Sequence, residues 1–194
     1  MSTTDATPRN VLTAQLERLY YVERTLRSEL ETLSADVAVD TLDDVRVLEC
    51  REQLQYALDA HREESDRHVE RIERAFDILD EEPDTRRVSE LDGVIADKEK
   101  FNNVVLNDGL RPLYYIETTL KLEAIECTIY ERTMALARTL ETNDADEVLD
   151  ALQENYDDER ELRREIDTLA ESESVETLLA ANPVEETDRA SLDR

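Results

Sequence analysis

Apolar residues recur every three or four positions along four long segments of the chain, the spacing that places them on one face of a helix. The segments run from about Arg9 to Leu33, from Thr41 to Leu79, from Pro112 to Leu140 and from near Asn143 to Leu169. In the first segment the apolar face consists of Leu12, Leu16, Leu19, Leu26, Leu30 and Leu33. Each segment is therefore predicted to be a long amphipathic helix.

The connections between the four segments are short, long and short in chain order. The long connection, roughly Asp80–Arg111, is predicted to hold a short helix over Val88–Phe101 and a break at Asn107-Asp108-Gly109. Loops of this pattern are typical of two helical hairpins joined by one long crossover. The predicted fold class is therefore all-α, a four-helix bundle.

The bundle is expected to occupy residues 9–171. Residues 172–194 are predicted to form a short helix, Val175–Ala181, followed by an acidic, polar tail, Asn182–Arg194. A tail with so few apolar residues cannot bury enough surface to fold by itself, so we expect it to be disordered. The alternative is a peptide that docks on a partner protein.

Composition supports helices and adds a strong charge. Two glycines and four prolines in 194 residues are too few for turn-rich β folds. Lysine and arginine total 23 against 50 aspartates and glutamates, and the net charge of −27 argues against binding nucleic acid or an anionic membrane. An acidic surface that is poor in lysine is typical of adaptation to high salt, so we expect a halophilic protein.

Several features predict a cytoplasmic protein. No run of about 20 apolar residues is present, so no transmembrane span is expected. The N-terminal residues, MSTTDATPRN, lack the cationic and apolar parts of a signal peptide. Cys50 and Cys127 stand singly on separate apolar faces and are predicted to be buried and unpaired.

Ionisable residues interrupt the apolar faces of the predicted helices. Glu23 stands between Leu19 and Leu26 on the first long helix, and Glu159 lies on the apolar face of the fourth. An ionised carboxylate that faces a core costs several kcal/mol unless it is paired or bound to a metal. Both glutamates are therefore candidate functional residues, although Glu23 by itself is equally well explained by a side chain that reaches solvent.

The second and third long helices add further polar groups to this set. His61 and His68, the only histidines of the chain, are seven residues apart, and Glu64 lies between them. Glu123 and Glu126 are three residues apart on the third long helix. Residues at these spacings lie on one side of a helix. Either histidine alone is most simply a hydrogen-bonded core residue, so the case for a site depends on all four helices together.

Carboxylates and imidazoles contributed by four helices are the ligands of dinuclear iron and manganese sites in bundles. Metal cations would also balance the negative charge that these acids bring into the core. The predicted cofactor is therefore iron or manganese, as one or two ions.

These residues lie in short motifs that resemble the YciE/YciF-type family of ferritin-like stress proteins. The motifs follow the family's order between about Leu12 and Ala170. They are Tyr20-Tyr21-Val22-Glu23-Arg24-Thr25-Leu26, His61-Arg62-Glu63-Glu64-Ser65, His68-Val69-Glu70-Arg71, Leu91-Asp92-Gly93-Val94, Lys121-Leu122-Glu123 with Glu126 and Tyr130, and Asp158-Glu159. The resemblance implies a ferritin-like bundle that forms a homodimer or higher homo-oligomer, with a dinuclear metal site and a stress-related role.

Matched position by position, the resemblance implies metal ligands at Glu23, Glu64, Glu123, Glu126 and Glu159, with one or both of His61 and His68. Among these, Glu64 and Glu159 are expected to bridge the two metals. The chain departs from the family at Ala124, where a histidine is usual, and its fourth helix has no histidine, with Leu162 and Arg163 three and four residues after Glu159. A cation from Arg163 would compete with the second metal.

Two functions follow from these observations. The first is an oxidoreductase or metal handler that removes peroxide or oxidises ferrous iron at the metal site. The second is a non-catalytic dimeric bundle, a structural or interaction protein with a degenerate site. In that case the acids would be neutralised by Arg24, Arg51, Arg67 and Arg163.

Overall fold

The computed structural model describes residues 7–38, 45–104, 110–140 and 143–181, and over these ranges it contains helices and no strands. Within these ranges six helices follow one another. They are α1 (Pro8–Ala38), α2 (Val45–Ile78), α3 (Ser89–Val104), α4 (Arg111–Ala137), α5 (Asn143–Ala170) and α6 (Glu173–Ala181). The predicted all-α fold class is confirmed.

The four long helices contact one another in a ring, α1 with α2, α2 with α5, α5 with α4, and α4 with α1. α1 and α2 run antiparallel, since Arg9 near the start of α1 bonds to the carbonyl of Leu79 just after α2. Their apolar faces meet in one core, to which each long helix contributes fully buried side chains. Examples are Leu16 of α1, Leu54 of α2, Tyr130 of α4 and Ile166 of α5.

The ends of the helices follow from local chemistry. α1 continues past the predicted Leu33 because Val37, which is fully buried, extends its apolar face. α2 ends at Ile78, two residues before Asp80, whose backbone is left-handed (φ 49°), and the N–H of Glu81 donates to the carbonyl of Phe76 at 3.1 Å. α6 begins two residues earlier than predicted, because Ser172 Oγ caps it by accepting the N–H of Val175 at 3.4 Å.

The crossover between α2 and α4 contains α3 and is attached to α1 by hydrogen bonds and ion pairs. The backbone N–H of Arg86 donates to the carbonyl of Glu17 at 3.0 Å, and their side chains pair at 2.7 Å. The buried Lys98 of α3 places Nζ 3.5 Å from the carboxylates of both Glu29 and Asp36. The predicted break at Asn107-Asp108-Gly109 and the tail Asn182–Arg194 lie outside the described residues.

The structure confirms that both cysteines are buried and unpaired. Cys50 and Cys127 are buried and free, and burial raises the pKa of each thiol to about 11. None of the helices in the described ranges has both the length and the apolar character that crossing a bilayer requires.

Candidate metal centre

Six ionisable side chains are buried between the four long helices, and we refer to them as the acid–imidazole cluster. They are Glu23 of α1, His61 and His68 of α2, Glu123 and Glu126 of α4, and Glu159 of α5. None of the six is more than 3% exposed. Each lies at helical spacing from buried apolar neighbours, so the packing that forms the core also draws these polar groups into it.

Glu159 links the two imidazoles of the cluster. Its Oε1 lies 2.9 Å from His68 Nδ1, and its Oε2 lies 3.3 Å from His61 Nε2. Glu23 approaches from α1 and places Oε2 3.4 Å from His68 Nδ1. One carboxylate therefore presents one oxygen to each ring, which is an arrangement suited to a bridging ligand.

Glu123 and Glu126 complete the cluster from α4. Ligand atoms of His61, Glu123, Glu126 and Glu159 all lie within 4.8 Å of one another, and so do those of His61, His68 and Glu159. The two groups share His61 and Glu159. A carboxylate has two oxygens, whereas one imidazole nitrogen binds one ion. Glu159 can therefore be a ligand in both groups, and His61 can be a ligand in only one of them.

Asp158 orients His68 from the outer side of the cluster. Its Oδ2 lies 3.2 Å from His68 Nε2 and accepts a hydrogen bond from Arg71 Nη1 at 3.2 Å. With Nε2 occupied by Asp158, Nδ1 is the ring atom that faces the cluster. Histidines that bind metals usually donate their other N–H to a carboxylate in this way.

Tyr130 and Asn155 form a hydrogen-bonded chain beside Glu23. The hydroxyl of the fully buried Tyr130 donates to Glu23 Oε1. Asn155 Nδ2 donates to Tyr130 Oη at 2.9 Å and to the backbone carbonyl of His68 at 3.1 Å. These bonds hold one oxygen of Glu23 away from the centre and leave the other facing His68.

Seven buried atoms of the cluster make no well-aligned hydrogen bond among the described residues, although Glu159 and the imidazoles lie within ion-pair distance of each other. They are Nδ1 of His61 and of His68, Oε2 of Glu123, and both carboxylate oxygens of Glu126 and of Glu159. Four carboxylates exceed two imidazoles, and an ionised carboxylate buried without a partner costs several kcal/mol. Oxygen and imidazole nitrogen are the ligands that iron and manganese prefer, so these donors fit such an ion.

The imidazoles are held in their protonated form when no metal neutralises the acids. Burial lowers the pKa of His68, but the charges of Glu23 and Glu159 outweigh burial and raise it to about 10. The same competition, dominated by Glu159, holds the pKa of His61 well above its usual value. Metal binding at these nitrogens therefore requires the release of protons.

The carboxyl groups of the cluster divide into two kinds. Burial raises the pKa of Glu123 and of Glu126 well above the usual range, and the charge of Glu159 adds to the effect. Burial also opposes ionisation of Glu159, but the two imidazoles outweigh it and lower the pKa of this carboxyl. Without a metal, Glu159 is thus the anionic partner of the histidines.

The structure does not bring Glu64 into the cluster. Its side chain is 37% exposed, with Oε1 3.2 Å from Arg67 and Oε2 3.9 Å from His61 Nδ1. Three residues turn a helix by about 300°, which rotates Glu64 about 60° away from His61, whereas seven residues bring His68 within about 20° of it. The prediction that Glu64 bridges two metals therefore has no support in the geometry.

The predicted counter-ions of the alternative function do not reach the cluster either. Arg24, Arg67 and Arg163 are exposed. The buried Arg51 donates from Nη1 to the carbonyl of Val37 at 3.0 Å. Arg163 is exposed and interacts with the thiol of Cys127 on α4, so its competition with a metal stays a prediction.

Sequence reasoning gives no role to three residues that contact the cluster. Asn155 carries a usable signal, since it lies four residues before Glu159 on the buried face of α5 as a second polar interruption. Tyr130 and Asp158 stand in the motifs that carry the family resemblance, which is the one signal for either residue. Periodicity does not distinguish Tyr130 from a packing residue, and Asp158 lies one residue off the buried face.

Comparisons with known proteins agree with this architecture. The family model described as Domain of unknown function (DUF892) matches residues 7–179. The structure of the E. coli stress protein YciF superposes with a TM-score of 0.73 at 21% identity, covering 88% of this chain and 98% of that chain. YcfI from Rhodopseudomonas palustris, considered a structural protein, gives 0.74 at 20% identity, with 87% and 98% covered. No curated protein matches the sequence significantly.

Proposed function

The chain belongs to the family described as Domain of unknown function (DUF892), and from this premise we propose that it is a ferritin-like, stress-related metalloprotein. Its cofactor in this proposal is iron or manganese, bound by the acid–imidazole cluster. Family membership also confirms the resemblance to YciE/YciF-type proteins. The ferritin-like character is supported by the ring of four long helices and by the crossover that joins their two hairpins.

The observation that carries the proposal is the set of unpartnered polar atoms in the cluster. Both oxygens of Glu126 and Oε2 of Glu123 are buried with neither a hydrogen bond nor an ion pair among the described residues, whereas Glu159 has the two imidazoles as partners. Buried carboxylates are normally paired or bound to metal, because desolvation of an unpaired charge is costly. A divalent cation satisfies several such atoms at once.

The proposed ligands fall into two positions. One ion would be held by Glu23, His68 and Glu159, and the other by His61, Glu159 and the two glutamates of α4. Glu159 is then the bridging ligand. In this assignment His61 of α2 supplies the imidazole that the family usually has on the third long helix, where this chain has Ala124.

Iron or manganese at these positions would supply one-electron redox chemistry and open coordination sites for dioxygen or peroxide, which suits peroxide removal or oxidation of ferrous iron. The chain's own residues set the conditions for that chemistry. Asp158 orients His68, and Tyr130 with Asn155 orients Glu23 and keeps a hydroxyl proton next to its carboxylate. The surrounding apolar core excludes bulk water.

A homodimer or higher homo-oligomer and a high-salt cytoplasm belong to the same proposal. The resemblance to YciE/YciF-type proteins motivates the oligomer, and the net charge of −27 motivates the salt. The non-catalytic alternative has less support, because the arginines that were to neutralise the acids lie elsewhere.

Metal analysis of the purified protein tests the proposal. The chain is prepared in molar KCl, stripped with a chelator, and reconstituted anaerobically with Fe(II) or Mn(II), after which bound metal and peroxide consumption are measured. We expect about one to two ions per chain, a large loss in Glu159→Gln, and no change in the exposed Glu63→Gln. Less than about 0.2 ions per chain in the wild type would exclude a resident metal and leave the structural alternative.

A further inference from the structure

A cavity of about 200 Å³ opens between α2 and α5 and leads toward the cluster. Four acids line it, Glu64 from α2 with Asp158, Glu161 and Glu165 from α5. The remaining lining includes two alanines of α2, whose small side chains keep the space open. The cavity is therefore wide enough for a hydrated or partly hydrated ion and strongly negative.

His61 is where this cavity meets the acid–imidazole cluster. Its ring is 3% exposed and lines the cavity, with Nδ1 lacking a hydrogen-bond partner and lying 3.9 Å from Glu64 Oε2. Its Nε2, on the opposite side of the ring, lies 3.3 Å from Glu159 Oε2. The same imidazole thus has one nitrogen toward the cavity and the other toward the buried acids.

Glu64 occupies the position expected of a carboxylate that captures an ion before it reaches the cluster. It is part-exposed, and Arg67, itself 56% exposed, holds one of its oxygens at 3.2 Å.

By contrast, a larger cavity of about 570 Å³ is lined by Arg18 and Arg132 and by no cluster residue, so it does not suit cations.

We propose that divalent cations reach the acid–imidazole cluster through the cavity between α2 and α5, with Glu64 as the capturing carboxylate and His61 at the boundary. This inference rests on the proposed function, because it supplies the entry route of the same site. It gives Glu64 a transient role in place of the bridging role predicted from the sequence. A group that acts only during entry changes the rates of binding and release together and leaves the affinity unchanged.

Rates of Mn(II) uptake test the route, followed by rapid-freeze EPR as the loss of the free aqueous Mn(II) signal. Release is measured separately, by mixing the loaded protein with excess chelator. Glu64→Gln removes the charge, and Ala60→Phe obstructs the cavity from an exposed position without changing charge. Glu63→Gln is the matched control, because it is the neighbouring glutamate on α2 and points to solvent.

We expect uptake and release to slow about tenfold in Glu64→Gln and in Ala60→Phe, with a Kd within about threefold of wild type, while Glu63→Gln is unchanged. A Kd weakened more than about tenfold at an unchanged uptake rate would make Glu64 a permanent ligand and overturn the inference. Wild-type rates in all three variants would place the route elsewhere. If the wild type binds no Mn(II) or Fe(II), the proposed function fails first, and this inference fails with it.

Discussion

Replacing Glu126 with glutamine separates the energetic cost of the cluster from its function. Both oxygens of Glu126 are buried without a hydrogen-bond partner, and burial with the neighbouring charges of Glu159 and Glu123 raises the pKa of this carboxyl well above its usual range. Glutamine has nearly the same shape but neither charge nor titration. We expect Glu126→Gln to stabilise the metal-free protein and to weaken metal binding.

The magnitude follows from the protonation state of the carboxyl. One pKa unit corresponds to about 1.4 kcal/mol, so a pKa raised well above 4.5 destabilises the folded state by at most about 3 kcal/mol at pH 7. An unpaired buried amide costs about 1 kcal/mol in its place. The expected gain in free energy of unfolding is therefore at most about 2 kcal/mol near neutral pH. It disappears as the pH falls toward the unfolded-state pKa, because the carboxyl is then protonated in both states.

Urea unfolding followed by far-UV circular dichroism, in molar KCl with a chelator, measures this gain. Glu63→Gln is the control and should change stability by less than about 0.5 kcal/mol, because its side chain is exposed. In a second measurement without chelator, Mn(II) at about a hundredfold excess over its wild-type Kd should stabilise the wild type by about 2.7 kcal/mol and Glu126→Gln by less. A metal-free Glu126→Gln less stable than wild type would refute the reasoning, since Glu126 would then make a favourable contact.

Four further outcomes are expected. The metal-free protein should lose stability as the pH rises from about 6.5 toward 10. Folded His68 keeps its proton up to a pKa of about 10, whereas the unfolded chain releases it near pH 6.5. A melting temperature that is independent of pH over this range would contradict this expectation. Asp158→Asn should weaken metal binding about 10- to 100-fold by releasing the orientation of His68, and an unchanged Kd from metal titration would argue against that role. Cys50 and Cys127 should not react with iodoacetamide at about pH 8 until the protein unfolds, because both thiols are buried with pKa values of about 11. Labelling is measured by mass spectrometry, and rapid labelling of the native protein would contradict the burial of the two thiols. The melting temperature should rise with KCl, because salt screens the repulsion within a chain of net charge −27, and insensitivity to salt would remove the argument for halophilic adaptation.

Hydrophobic periodicity is enough to predict the helices and the burial of single residues. A helix repeats every 3.6 residues whatever its surroundings, so Glu23, placed between Leu19 and Leu26, faces the core once those leucines do. The same local geometry places His61 and His68 on one side of α2. These statements concern one helix at a time, which is why the sequence alone determines them.

Contacts between helices are decided only by the tertiary structure. That Glu159 lies between His61 and His68, and that Glu64 stays at the mouth of a cavity, depends on the axial offset and rotation of α5 against α2. Small shifts along or around a helix move a side chain by several ångströms at its tip, and spacing within one segment does not encode them. The sequence therefore determined which residues share a helix face, and the packing of the helices decided which of them are buried together and which of them meet.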